Sequence, residues 1–476
     1  MTALNAPYSS AQSGGPQRRL DDYGSFALIV GLVCAAGMLV GLLLGLHYTS
    51  LWVAFFRAYL TGYMLWLGLT LGCLALNMLH HLVGGGWGML SRRITEAAIA
   101  RLPLMALLFL PILLGVHSLF PWADHAQVAA DPILQNKSVY LNTPFWTLRI
   151  AFYFLVWIIL AARLRSLSHQ QDAGTNPTAA KKMESLSAPG LLIFFLTVTF
   201  TAVDLIVSRE PHWYSTVIGL LIAVGMGLSG LCFIVAMIAL IVEEKLVVLQ
   251  PHTQKLITSD AQPFSNFVSP ARLNDLGNLM FTLVILWAYM ALAQLLVIWM
   301  GNTSEDIAWY TQRGMDALRP NNWRWFGLGL VVFHFFVPFF LLLIKDNKRN
   351  LSFLGTLAVV ILVLRQCDMV WLFAPTIIGP SGPESAIGNS ASFMDILAPL
   401  AIGGLWFNGF VRSLESYPLI PPNDPQTADL LQHDAAHESH GGQAEANTQG
   451  THGAADHTAS HVTGGHVTGP EGSSHA

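Results

Sequence analysis

The chain has 476 residues, of which 53% are hydrophobic and only 11% charged, with a formal charge of −4. An apolar excess of this size cannot be hidden in a water-soluble core, and the weakly acidic balance excludes a nucleic-acid-binding surface. No GxxxxGK[ST] loop is present, so nothing in the chain would drive transport with ATP. The four cysteines, Cys34, Cys73, Cys232 and Cys367, stand singly within apolar stretches, with no CxxC and no CxxCH. An iron–sulfur cluster or covalent haem held by this chain alone is therefore not expected, and they read as small packing residues.

In chain order, residues 1–23 are polar and lack a signal-peptide core. Ten nearly uncharged stretches follow, at 24–46, 57–82, 97–119, 145–163, 189–208, 213–242, 275–300, 323–344, 351–373 and 392–412. Each is long enough to cross a bilayer, which takes about 20 helical residues at roughly 1.5 Å per residue. The expected fold is an all-α integral membrane protein whose ten-span domain occupies 24–413. Residues 414–476 turn to Pro, Gly, Ser, Thr, Ala and His, a composition that predicts disorder. Their histidines (His433, His437, His440, His452, His457, His461, His466 and His475) read as a solvated tail or a strap along a neighbouring subunit rather than a metal site.

An even span count puts both termini on one side, where the loops carry fifteen Lys and Arg against seven opposite. The positive-inside rule then predicts cytoplasmic termini. Trp52, Trp122, Trp146, Trp213, Trp299, Trp309, Trp323, Trp325 and Trp371 lie near span ends and read as an interfacial belt. The loop 301–322, with Glu305, Asp306, Trp309, Tyr310 and Arg313, is longer than a connection needs and reads as a docking surface.

Ionisable residues inside lipid are costly, so they are functional candidates. His334 lies near the centre of the eighth span, four residues before Pro338, which has no amide hydrogen for the His334 carbonyl. A titratable imidazole beside a freed carbonyl suits proton relay or hydrogen bonding to a quinone, and equally suits a simple bond to a neighbouring helix. Arg365 and Asp368 stand three apart on one helical face, either as a mutually neutral pair or with Asp368 carrying protons. Asp395, Asp204 and His117 lie towards outer ends; Glu243, Glu244, His80 and His81 towards inner ones. A haem between spans would need paired histidines at equal depth; His47 and His117 share a depth, but no second pair matches them.

The stretches DLGNLMFTLVILWAYMALAQLLVIWMGNTSEDIAWYTQR at 275–313, HFFVPFFLLLIKDNKRN at 334–350 and RQCDMVWLFAP at 365–375 resemble the ActF-type subunits of bacterial alternative complex III. These are also called quinone-binding subunit 2 of quinol:cytochrome c oxidoreductase, and they belong to the wider NrfD and polysulfide-reductase-type membrane anchors. The likeness is specific in the second half and extends to the first mainly in span count and length. It implies two four-helix bundles with an extra helix flanking each, in an electron-transport complex of the bacterial inner membrane that oxidises menaquinol-type quinols. It also implies partners: a homologous ten-span subunit, an iron–sulfur subunit, c-type cytochromes and small membrane-anchored subunits. The redox centres would sit on those partners, and the quinol site in the homologous subunit.

The expected mechanism is transmembrane proton transfer. Protons would be taken up near Glu243, Glu244 or His80, pass His334, and leave around Asp368, Asp395 or Asp204, with Arg365 setting the affinity of Asp368. A purely structural scaffold is one rival reading. A secondary transporter is another, for which Gly225, Gly227, Gly230, Pro103 and Pro111 would mark broken spans.

Overall fold

The computed structural model describes residues 19–243, 264–315, 321–375 and 392–421. Glu244 and the histidines of the tail lie outside them. Ten helices are long and apolar enough to cross a membrane. They are α1 (Leu20–Gly45), α2 (Ser50–Val83), α3 (Gly86–Leu114), α4 (Thr143–Asp172), α5 (Ala179–Arg209), α6 (Ile218–Glu243), α7 (Pro270–Gly301), α8 (Asn322–Leu343), α9 (Leu351–Phe373) and α10 (Met394–Glu415). No strand occurs among the described residues. The protein is an all-helical, multi-pass integral membrane protein.

Helices α2 to α5 close one four-helix bundle: α2 packs on α3 and α5, and α4 packs on both of these. Helices α6 to α9 close a second, with α7 and α9 against α6 and α8 between them. The bundles meet where α2 lies along α6. Buried shares of 78% for α2 and 89% for α6, against 22% for α1, α7 and α8, make these two the central pair. Since lipid is as apolar as leucine, close packing has to supply the attraction. The sequence provides it through small residues. A Cβ at Gly72 would run into the Met226 carbonyl, and one at Gly230 would lie 2.7 Å from the Cys73 amide.

The two flanking helices do not stand one at each bundle. They pair antiparallel with each other and together lie on α2. Gly24 faces Val411, Gly31 faces Gly404 and Gly41 faces Met394, so the first residues of α1 and the last of α10 lie at one end of the molecule.

Proline shapes two spans. Helix α3 is interrupted into the segments Gly86–Ile99, Leu102–Leu107 and Leu110–Leu114, the last two with Pro103 and Pro111 in their first turns. In α8 the chain opens into a π turn over Val331–Phe336, directly before Pro338, with the Val337 amide donating to the Val332 carbonyl. Helix α6, by contrast, is continuous. Its glycines make room for close neighbours and do not break the span, so the breaks fall in α3 and α8 instead.

Two further expectations are corrected. Trp122, Trp146, Trp213 and Trp309 are buried in the protein and belong to its packing, while Trp299 and Trp325 are exposed as interfacial residues would be. The segment after α7 also turns inward. Its helix Ser304–Tyr310 lays Trp309 flat on Trp213 with ring centroids 4.9 Å apart, and Trp309, Tyr310 and Arg313 are buried. Those three residues pack into one end of the second bundle, while Asn302, Thr303 and Ser304 of the same loop stay exposed.

Candidate functional site

The second bundle holds a polar cluster to which all four of its helices contribute. His334 stands in the π turn of α8 with 0% exposure, and neither ring nitrogen has a hydrogen-bond partner. Its imidazole meets the Trp287 ring of α7 edge-on at 4.2 Å. The Trp287 indole is also within hydrogen-bond reach of Asp368 on α9. Asp368 accepts from Arg365, one helical turn earlier, and Arg365 Nε donates to Ser229 Oγ of α6 at 3.4 Å. The Arg365 charge acts on the His334 ring. Gly225 leaves the space the guanidinium needs, since a Cβ there would collide with it.

The π turn matters because an extra residue in one helical turn re-aims the side chains around it, and such turns recur at functional sites. Here it carries a buried imidazole without a partner, a costly arrangement that packing alone does not require. Arg365 and Asp368 are 4% and 14% exposed, so Asp368 keeps an edge open to whatever borders this chain. The cluster thus brings an enclosed imidazole and a partly exposed carboxylate to one tryptophan.

The end of α9 is held by two cations. Arg313 Nη2 donates to the Leu372 carbonyl at 2.8 Å and its Nε to Trp371 at 3.2 Å, while Arg209 Nη1 donates to Phe373 at 2.9 Å. Guanidinium groups on terminal carbonyls satisfy orphan acceptors and oppose the helix dipole. They fix the position of α9, and with it Arg365 and Asp368.

The other expected residues lie elsewhere. Asp204, in the first bundle, is bound by Arg149 through Nη2 at 2.7 Å and Nε at 3.1 Å, and by the Tyr153 hydroxyl at 3.0 Å. Burial, then the charge of Asp204, push the nearby Tyr140 phenol up to about 12, so it stays protonated. Asp395 pairs with Arg57 at 2.8 Å and accepts from the Ser392 amide at 2.8 Å, beginning α10. Its carbonyl accepts from Gln366, the α9 residue next to Arg365, at 3.4 Å. His80 packs with His81 and Trp87 at the corner between α2 and α3. Glu243 is the exposed last residue of α6, and His117 Nδ1 lies 2.9 Å from the Ala123 carbonyl.

Sequence reasoning missed a second polar network. Arg92, Arg93 and Glu96 sit within α3, one to five residues before the expected start of the span at 97, and are buried against Ser168, Gln171 and Asp172 of α4. The spacing of Arg92 and Glu96, one helical turn apart, was the available signal.

These features define a ten-span integral membrane protein with a buried, unpartnered histidine inside its second bundle. No family model matches the chain, and no curated protein matches it. Among the described residues no group of three or more His, Cys, Asp or Glu could hold a metal ion.

Proposed function

We propose that this chain is a membrane subunit of a quinol-oxidising complex of the alternative complex III type, and that its second bundle carries protons. The carrying observation is His334, wholly enclosed, without a hydrogen-bond partner, and linked through Trp287 to the Arg365–Asp368 pair. An imidazole with two idle nitrogens can accept and release a proton on one side while its carboxylate neighbour does so on the other. The enclosure offers a quinone no exposed imidazole edge. That favours proton transfer as the role of His334, with quinol oxidised in a homologous neighbouring subunit and electrons passing to iron–sulfur and c-type cytochrome partners. The excess of basic loop residues on the terminal side supports cytoplasmic termini in a bacterial inner membrane.

Two experiments test this. Mild solubilisation of a tagged chain should bring down an iron–sulfur protein, c-type cytochromes and a second ten-span protein; a chain purified alone refutes the assignment. In liposomes holding the complex, His334→Ala or Asp368→Asn should lower proton translocation at least tenfold. Unchanged quinol turnover and proton movement would end the relay proposal.

A scaffold reading draws on the buried ion pairs Arg149–Asp204 and Arg57–Asp395. Under it, the same variants would reduce the amount of assembled complex and leave turnover per complex unaltered.

A further inference from the structure

The end of the molecule that carries Leu20 and Glu415 contains a small recess, open to solvent, bordered by Arg93, Glu96, Arg165, His169, Ser413 and Tyr417. Arg165, His169, Ser413 and Tyr417 are each partly exposed, so the cavity opens at the surface. The His169 ring lies flat on the Tyr417 ring at 3.8 Å, forming one wall. Arg101 adjoins the opposite side, donating to Ser413 Oγ at 2.5 Å.

Charge at this place does not balance. Four guanidinium groups (Arg92, Arg93, Arg101 and Arg165) converge with two carboxylates (Glu96 and Asp172). Both carboxylates are already engaged. Glu96 Oε1 accepts from Arg92 Nε at 3.1 Å and Ser168 Oγ at 2.6 Å, and its Oε2 from Arg93 Nη1 at 2.6 Å. Asp172 pairs with Arg93 at 2.5 Å. Three further carboxylates of this end, Glu415, Asp21 and Asp22, face one another. Arg101 and Arg165 are left to repel each other. The Nε atoms of Arg93, Arg101 and Arg165 and Nδ1 of His169 are all buried without a hydrogen-bond partner.

We infer that this cavity binds the phosphate group of an anionic ligand, with Arg101 and Arg165 as its principal charges and His169, Ser413 and Tyr417 as its polar rim. A phosphate brings the negative charge the cluster lacks and acceptor oxygens for the unpartnered donors, in the planar geometry guanidinium favours. The site lies at the end of ten spans, where a phospholipid headgroup is the nearest source of phosphate. Basic pockets between spans at one membrane face bind such headgroups. This inference does not depend on the proton-transfer reading.

The test uses the purified full-length chain, delipidated in neutral detergent. Its thermal unfolding and native mass spectrum are followed with added phosphatidylglycerol, phosphatidylcholine or inorganic phosphate. Phosphatidylglycerol should be retained and should raise the melting temperature, and Arg101→Gln with Arg165→Gln should weaken its retention at least tenfold. Stabilisation by inorganic phosphate, lost in the same double variant, would identify a free anion as the ligand and still support the site. Equal retention of phosphatidylcholine and phosphatidylglycerol, or phosphatidylglycerol binding unchanged in the variant, would overturn the proposal. His169→Ala leaves the guanidinium network intact. It should reduce retention about threefold if the histidine forms part of the rim, and failure of both variants to affect binding counts against the site.

Discussion

The two bundles share an architecture and differ in how they hold Asp204 and Glu96 on one side and His334 on the other. In the first, Asp204 is gripped by two guanidinium nitrogens and a phenol, and Glu96 by two arginines and a serine. Both carboxylates are engaged at each oxygen, Asp204 by residues of α4 and Glu96 by its own helix and Ser168 of α4. In the second, the ion pair of Arg365 and Asp368 is only one part of a cluster whose other member, His334, has no partner at all. Saturation locks helices together at the cost of chemical reactivity. An unsaturated group contributes little to holding helices and retains a proton affinity that its neighbours can tune. The contrast separates residues that keep the domain assembled from those available to work.

The strongest way to break the comparison is at Asp204. Asp204→Ala strands the Arg149 charge beside a fully buried site and should cost about 3–5 kcal/mol, read as a large fall in melting temperature in detergent. If the loss is below about 1 kcal/mol, the first bundle is not held as described.

Gly225→Leu comes next. The new side chain would occupy the place of the Arg365 guanidinium, and overpacking of this kind costs about 1–3 kcal/mol. Proton translocation should fall with it, since Arg365 can no longer hold Asp368. A folded variant with normal translocation would uncouple the ion pair from the relay.

His334→Leu sharpens the contrast. Replacing an unpartnered buried polar group by an apolar one of similar volume should shift stability by less than about 1 kcal/mol, while translocation is lost. A stability loss as large as that of Asp204→Ala would make His334 a structural residue like those of the first bundle.

The smallest effect belongs to the surface. Asp131 and His212 pair at 2.6 Å on the loops outside the spans. Partial burial works to raise the Asp131 carboxyl, but the Ile133 amide and then His212 outweigh it and hold it below the ordinary range. A carboxylate lowered in the folded state adds stability that is fully present above its unfolded pKa of about 3.9 and fades as pH drops through the folded value. Asp131→Asn should therefore remove a contribution of at most about 1 kcal/mol at neutral pH and flatten the acid limb of a pH–stability curve.

The ten spans were legible because a bilayer selects for long charge-free windows, a local property of sequence. His334, Arg365 and Asp368 were legible as individuals for the same reason: charge is rare in such windows. Their meeting through Trp287 was not, because a tryptophan inside a span carries no mark of what it touches. The partner of Asp395 lies 338 residues away at Arg57, beyond any periodicity. Arg92 and Arg93 were read as loop charges because the third span was expected to begin at residue 97, whereas the helix starts at Gly86 and draws them into the protein. The loop after α7 misled for a complementary reason. Its aromatic and charged side chains suit a surface by composition, yet three of them cap a helix end.

The pairing of α1 with α10 has a bearing on how the protein is made. Helix α1 leaves the ribosome first and is only 22% buried in the finished domain, with α10 as its main companion and α2 behind. During synthesis it must wait in lipid while eight further spans are inserted, and its row of glycines finds the matching surface only when the last span arrives. The final helix therefore acts as a latch on the first, and a chain released before Met394 would leave α1 loosely attached and open to membrane proteases. Closure of the domain therefore waits for the tenth span.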